Sequence, residues 1–168
     1  MSFLSRLFGR WGNPHYARGI MHFNRREYAA AVAEFEHLLD AVRDPSNPDV
    51  ELARFYAAEA HTHLGLALYR QQEFARAQQE FEHAAAVEGN YPDLHYYIGV
   101  MEERQGRPER AVPHFGRALE LKPDYPEALA YRAIVHDALG RMDARAEDLA
   151  RLAALRFELP PSVRALGH

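Results

Sequence analysis

The fold is decided by residues 92–124, which read PDLHYYIGVMEERQGRPERAVPHFGRALELKPD. Proline is tolerated at the first position of a helix, so Pro92 and Pro108 each predict a helix start. Gly106 marks the break between the two helices. In the second helix, three residues at spacings of four and three form one apolar stripe: Ala111, Phe115 and Ala118. The stretch therefore predicts a helix–turn–helix unit.

The same pattern recurs along the chain with a period of 34 residues. Gly65 and Gly99 are separated by 99 − 65 = 34 positions. The same shift relates His61 to His95, Ala77 to Ala111, Phe81 to Phe115, Ala84 to Ala118, and Tyr91-Pro92-Asp93 to Tyr125-Pro126-Glu127. A further shift relates Gly106 to Gly140, Phe115 to Leu149 and Ala118 to Leu152. Agreement at so many positions indicates a repeat protein.

A 34-residue helix–turn–helix with Ile98-Gly99, Ala111-x-x-x-Phe115 and a closing Pro123 resembles the tetratricopeptide repeat. The resemblance covers residues 14–157. It implies an all-α fold, a right-handed α-solenoid of about four helix–turn–helix units. The spacing of apolar residues before it predicts an amphipathic N-terminal helix. The expected boundaries are 1–12 for the amphipathic segment, 14–43, 48–91, 92–124 and 126–157 for the units, and 158–168 for a C-terminal tail.

Two departures from the family pattern lead to structural predictions. Gly19 and Gly65 are 46 residues apart, which is 34 + 12, so an insertion separates the first two units. Asn47 is typical of an N-cap and Pro48 of a first helical position, so the first helix of the second unit is predicted to begin early and run from about Pro48 to Gln71. Pro113 lies inside a predicted helix, where it removes a hydrogen bond and predicts a local kink.

The resemblance also implies a binding surface. In this family the first helix of each unit lines a concave groove that holds an extended peptide or a partner's helix. The positions that correspond in this chain are Tyr16, Ile20, Phe23, His63, Leu66, Tyr69, Arg70, Tyr96, Tyr97, Val100, Arg104, Tyr131 and Ile134. Tyrosine and arginine are common anchors of interfaces. The alternative for any single tyrosine is that it packs between helices.

The chemistry of this surface favours an apolar ligand. Family members that clamp a C-terminal carboxylate use two asparagines and a lysine, whereas Ala17, His63 and Asp93 stand at those positions here. Of the predicted groove residues, only Arg70 and Arg104 carry a suitable charge. An internal hydrophobic peptide therefore fits better than an acidic chain terminus.

Three functions are compatible with such a chain. The first is a non-catalytic protein–protein interaction adaptor or assembly factor that binds a peptide or helix of a partner. The second is a small cytoplasmic chaperone for a secreted or membrane protein, since the chain resembles the tetratricopeptide-repeat chaperones of type III secretion in size, acidity and an apolar N-terminal extension. The third is a module that acts through self-association.

The sequence predicts no enzyme, cofactor or metal site. It contains no glycine-rich phosphate loop, no G-x-S-x-G and no H-E-x-x-H, and it has no cysteine. His61 and His63 are two residues apart and point about 200° away from each other on a helix, so they cannot share a metal ion. His15 and His95 occupy the positions equivalent to His61, and all three are expected to pack between helices.

Charge and hydropathy indicate the setting. The net charge of −4 argues against a nucleic-acid partner, and no segment has 18 consecutive apolar residues, so a cytoplasmic location is expected. A single lysine among 20 basic residues indicates a GC-rich bacterial source. Within residues 2–11, one helical face is apolar: Phe3, Leu4, Leu7, Phe8 and Trp11. Packing of this face on the first repeat is favoured; a homodimer through residues 2–11 and binding to a membrane surface are the alternatives.

Overall fold

The computed structural model describes residues 13–89 and 91–155. All regular structure within these residues is helical. The helices are α1 (Pro14–Asn24), α2 (Tyr28–Ala41), α3 (Pro48–Arg70), α4 (Phe74–Val87), α5 (Pro92–Arg104), α6 (Pro108–Leu121), α7 (Pro126–Ala138) and α8 (Met142–Ala154). The predicted all-α repeat fold is confirmed. The predictions for residues 1–12 and 158–168 lie outside the described part of the chain.

The chain divides into two compact units. Unit 1 spans Met1–Gly89 and contains α1 to α4, and unit 2 spans Asn90–His168 and contains α5 to α8. Within each unit, consecutive helices pack in pairs. We number these pairs repeats 1 to 4, in chain order. Neither unit contains, among its described residues, a helix with the length and apolarity needed to cross a bilayer.

A glycine of the first helix packs on a phenylalanine of the second helix in three of the repeats. The pairs are Gly19 with Phe35, Gly65 with Phe81 and Gly99 with Phe115. A Cβ atom on these glycines would lie only 2.4, 2.7 and 2.9 Å, respectively, from the phenylalanine ring. The glycine therefore sets how closely the two helices approach. The predicted stripes on the second helices of repeats 2 and 3 are fully buried: Ala77, Phe81, Ala84, Ala111, Phe115 and Ala118.

The turn inside each repeat uses one residue in the left-handed region of the backbone. These residues are Gly106 and Gly140 in unit 2, with φ of 72° and 69°, and Arg26 and Gln72 in unit 1, with φ of 61° and 63°. Glycine adopts this conformation without steric cost, whereas residues with a Cβ atom rarely adopt it. The breaks at the two glycines follow from the sequence, but the equivalent turns at Arg26 and Gln72 carry no such signal.

The insertion extends α3, as predicted. α3 contains 23 residues, and the Asn47 side chain accepts a hydrogen bond from the Asp49 backbone N–H at 2.9 Å. The Asp49 carboxylate accepts a hydrogen bond from the Asn13 N–H at 2.7 Å, so the added turns hold the start of α1. In unit 2, α6 continues through Pro113, whose side chain is exposed; the kink stays a prediction.

Candidate peptide-binding surface

The first helices of unit 1 contribute to an aromatic cluster. The Phe23 ring of α1 lies 5.3 Å from Tyr56, 5.5 Å from Tyr28 and 6.0 Å from His63, measured between ring centroids. His63 stacks on Tyr28 at 4.4 Å with an interplanar angle of 12°. Of the residues predicted to line the groove, the structure thus brings Phe23 and His63 together.

Tyr16 and Ile20 have a mainly structural environment. Both are half-buried and pack against the core of unit 1. The Tyr16 ring lies 6.3 Å from Phe35 and 6.4 Å from Tyr56. Burial, followed by the nearby Tyr56 and Asp49, raises the pKa of Tyr16, so its hydroxyl stays protonated as a hydrogen-bond donor.

The other three predicted residues of unit 1 lie near the C-terminal end of α3. Leu66 is half-buried, and Arg70 is exposed in the last turn of the helix. The Tyr69 ring lies 5.9 Å from that of Phe74, at the start of α4. Tyr69 therefore packs within repeat 2, and Arg70 is the most accessible of the three.

Unit 2 contains a second cluster, of tyrosines. The Tyr96 ring of α5 lies 5.2 Å from Tyr97, 5.3 Å from Tyr125 and 5.6 Å from Tyr131 of α7. Burial raises the pKa of Tyr125, and its hydrogen bond to the Asp93 carboxylate raises it further. Asp93, at the position where a carboxylate clamp has a lysine, is thus a hydrogen-bond acceptor for the cluster itself.

A small pocket adjoins this cluster. Glu103 and Arg104 of α5 and Tyr131 and Ile134 of α7 line a space of about 200 Å³. Sites for small molecules are usually larger, from about 300 to 1,000 Å³, so this pocket suits a single side chain. The Arg104 guanidinium lies 3.7 Å from the Glu103 carboxylate, at the pocket wall. Three of the predicted groove residues therefore converge on one concave feature.

One predicted residue is misplaced, and others were missed. Val100 is only 2% exposed, so it belongs to the interior of the protein and is not part of the candidate surface. Tyr28, Tyr56 and Tyr125 were not predicted to accompany the groove residues. Tyr56 carried a usable signal, because it lies seven residues before His63 and hence on the same face of α3. Tyr125 lies at the α6–α7 turn, where helical periodicity gives no signal.

Comparison with known protein families decides the identity of these repeats. The family model described as tetratricopeptide repeat matches residues 62–126 and 102–161. Together the two matches span more than half of the chain. The chain belongs to the tetratricopeptide-repeat (TPR) family. A sequence search of functionally characterised proteins found no significant match.

Solved TPR structures share the fold at low sequence identity. The Arabidopsis OM64 TPR domain is similar at a TM-score of 0.63 and 15% identity, covering 67% of this chain and 92% of that one. YrrB, described as a TPR protein with an unusual peptide-binding site, is similar at 0.60 and 20%, covering 84% and 67%. The second TPR of Spaghetti (RPAP3), bound to the HSP90 peptide SRMEEVD, is similar at 0.57 and 19%, covering 58% and 91%. At this identity the similarities establish the fold alone.

Proposed function

We propose that this TPR protein is a non-catalytic interaction adaptor or assembly factor, and that unit 2 binds an apolar segment of a partner protein, in the form of a peptide or a helix. The proposal is carried by one observation: Arg104, Tyr131 and Ile134 meet at a pocket sized for one side chain. Two helices from successive repeats supply its walls, so ligand recognition would depend on the repeat architecture itself.

The residues around the pocket have the chemistry of an interface anchor. Tyr97 and Tyr131 are half-buried, so each ring keeps some exposed surface while its packing limits the entropy lost on binding. Tyr131 lies 6.1 Å from Phe115, which connects the pocket to the buried core of repeat 3. A preorganised surface of this kind favours an apolar side chain inserted between the two helices.

The structural relatives support a peptide as the class of ligand. Two of them are peptide-binding TPR proteins, and one of these is bound to the acidic peptide SRMEEVD. An acidic terminus is less suitable here, because Ala17, His63 and Asp93 stand where a carboxylate clamp has polar or basic residues. We therefore propose an internal, apolar segment as the ligand.

The test begins with capture of partners from extracts of the source cell at moderate salt, followed by calorimetry with the purified partner. Tyr97→Ala combined with Tyr131→Ala should weaken binding by more than about 2 kcal/mol, the loss typical of interface anchors. Arg104→Ala is a second variant whose exposed side chain can be removed without disturbing the core. Met142→Ala, at a 50% exposed residue of α8, is the matched control.

Two outcomes would contradict the proposal. Unchanged affinity in both the tyrosine variant and Arg104→Ala would place the interface elsewhere. Loss of binding in Met142→Ala alone would assign it to α8. A captured partner that is a secreted or membrane protein, bound before its export, would support the chaperone alternative.

For the N-terminal segment we propose packing onto α1. An apolar concavity on α1 is lined by Pro14, Ala17, Arg18 and Met21. Met21 is 40% exposed. The apolar face predicted for residues 2–11 matches this concavity in chemistry. Only Gly12 and Asn13 separate the segment from α1, so it is present there at high effective concentration. Two arrangements compete with this one. In the first, residues 2–11 form a homodimer; in the second, they bind a membrane surface in the cytoplasm.

A further inference from the structure

Repeat 2 carries a His–Glu–His set that peptide binding does not use. His61 of α3 is buried, Glu80 of α4 is half-buried, and His83 of α4 is exposed. One potential ligand atom from each of the three side chains lies within 4.8 Å of the other two. Glu80 and His83 are three residues apart, so both lie on one face of α4. The same Glu-x-x-His spacing holds metal ions in helical bundles.

The two ring nitrogens of His61 have different surroundings. Nδ1 lies 2.8 Å from Oε2 of Glu80. Nε2 is buried, has no hydrogen-bond partner among the described residues, and lies 3.8 Å from Oε1 of Glu36 of α2. Metal-binding histidines commonly direct their second ring nitrogen, as N–H, at a carboxylate, which selects the tautomer. A cation bound at Nδ1 of His61 would leave the N–H on Nε2, facing Glu36.

Repeat 1 has the same three residue types but a different electrostatic environment. His15, Glu34 and His37 are the equivalents of the repeat 2 residues at a shift of 46. The Arg18 guanidinium donates to Oε1 of Glu34 at 2.9 Å and lies 2.9 Å from Nδ1 of His15. A positive charge therefore already lies beside both of these potential ligands. Leu64 stands at the equivalent position in repeat 2 and brings no charge.

The other two repeats lack the ligand set. In repeat 3, His114 and Arg117 replace the glutamate and the second histidine. In repeat 4, Leu129 replaces the first histidine, and Asp148 is held by Arg132 at 2.8 Å. Only repeat 2, among the described repeats, combines two imidazoles and a carboxylate without an adjacent guanidinium.

We propose that His61, Glu80 and His83 bind a divalent transition-metal ion, Zn²⁺ by its ligand preference, and thereby link α3 to α4. Two imidazoles with one carboxylate suit Zn²⁺, whereas Ca²⁺ and Mg²⁺ prefer oxygen ligands alone. Ligand atoms about 2.1 Å from a tetrahedral ion are about 3.4 Å apart. The three ligand atoms, which lie within 4.8 Å of one another, must therefore move slightly closer together to bind it. His83 is exposed and can rotate inward without disturbing the core, and Glu80 and Glu36 supply negative charge.

The experiment uses the full chain without an affinity tag. Co²⁺ is titrated while its visible absorption bands are recorded, and Zn²⁺ is then added to displace it. The wild-type protein should bind one equivalent with the intense bands of a low-coordinate site. His83→Ala and Glu80→Gln should each weaken binding at least tenfold, because each removes one ligand. His37→Ala, which changes the equivalent histidine of repeat 1, is the matched control and should bind like the wild type.

Thermal unfolding supplies a second readout. Zn²⁺ should raise the Tm of the wild type and of His37→Ala, but not that of His83→Ala, because only a folded site that binds the ion is stabilised. Circular dichroism without metal should be the same for all variants, since the substituted side chains are not buried. The proposal is overturned if the wild type binds no metal, if both repeat 2 variants bind with unchanged affinity, or if His37→Ala abolishes binding.

Discussion

The contact between glycine and phenylalanine can be tested directly in repeat 2 with Gly65→Ala. The added Cβ atom would lie 2.7, 2.9 and 3.0 Å from three atoms of the Phe81 ring, closer than carbon atoms in contact normally lie. Phe81 is 0% exposed, so its ring cannot swing into solvent to relieve the overlap. The two helices of the repeat must separate, or the ring must leave its preferred rotamer.

Two opposing effects determine the size of the change. Overpacking of a core costs about 1–3 kcal/mol. Replacing glycine by alanine inside a helix gains about 1 kcal/mol through propensity. Gly65→Ala should therefore destabilise the protein by roughly 1 kcal/mol. In a Phe81→Leu background the overlap is relieved, and the same substitution should stabilise by up to about 1 kcal/mol. Repeat 4 already has this combination, as Ala133 with Leu149.

The assay is urea unfolding followed by circular dichroism for the two single variants, the double variant and the wild type. The double-mutant cycle should give a favourable coupling energy of roughly 2 kcal/mol between positions 65 and 81. Gly116→Ala is the control, because Gly116 lies within α6 and its nearest neighbour for an added Cβ is 3.8 Å away. It should stabilise in any background. Equal effects of Gly65→Ala with and without the Phe81 ring would refute the proposed contact.

Three further predictions follow from the turns, the pH dependence and the N-terminal segment. Gln72→Gly should raise the free energy of unfolding and Gly106→Gln lower it, each by about 1 kcal/mol, because both positions have positive φ and no neighbour crowds Gly106. Burial lowers the pKa of His136, so the unfolded state binds more protons than the folded state below about pH 6.5. The wild type should therefore lose stability as the pH falls from 7.5 to 5.5, and the decrease in its Tm should be larger than that of His136→Asn. Trp11 should emit in the blue in buffer and be unaffected by anionic vesicles; water-like emission that shifts only on adding vesicles would indicate membrane binding instead.

The repeat architecture could be predicted because it depends on local pattern. Each of the deciding signals affects only the adjacent turn of chain or the facing helix of the same repeat. Examples are the helix start at Pro92, the glycine at position 106 and the phenylalanine four residues after an alanine. The insertion was predictable for the same reason, since the Asn47 cap and Pro48 mark the start of α3 in the sequence itself. Such signals need no knowledge of distant parts of the chain.

The candidate surface was predictable only in part, because family position indicates a helix face but not its burial. Val100 shares a helix with Tyr97 and Arg104, yet it is buried. Whether a side chain on this face reaches solvent depends on which residues of the next repeat cover it. Tyr125, from a turn, joins the tyrosine cluster although it has no place in a helical pattern. These outcomes depend on side-chain packing across repeats.

The residue before the first-helix glycine, or before Ala133 in repeat 4, shows how one position can change the chemistry of a repeat. Leu64 and Ile98 stand there in the middle repeats, and Arg18 and Arg132 in the first and last. Both arginines bind a carboxylate 16 residues later, on the facing helix. In repeat 2, Leu64 packs against the core of unit 1 and brings no charge, and the Glu80 carboxylate lies 2.8 Å from Nδ1 of His61. His83, one turn beyond Glu80, completes the proposed set of metal ligands. The proposed metal site thus depends on the absence of an arginine at position 64, because the carboxylate and the imidazole occupy equivalent positions in repeat 1, where the Arg18 guanidinium contacts both.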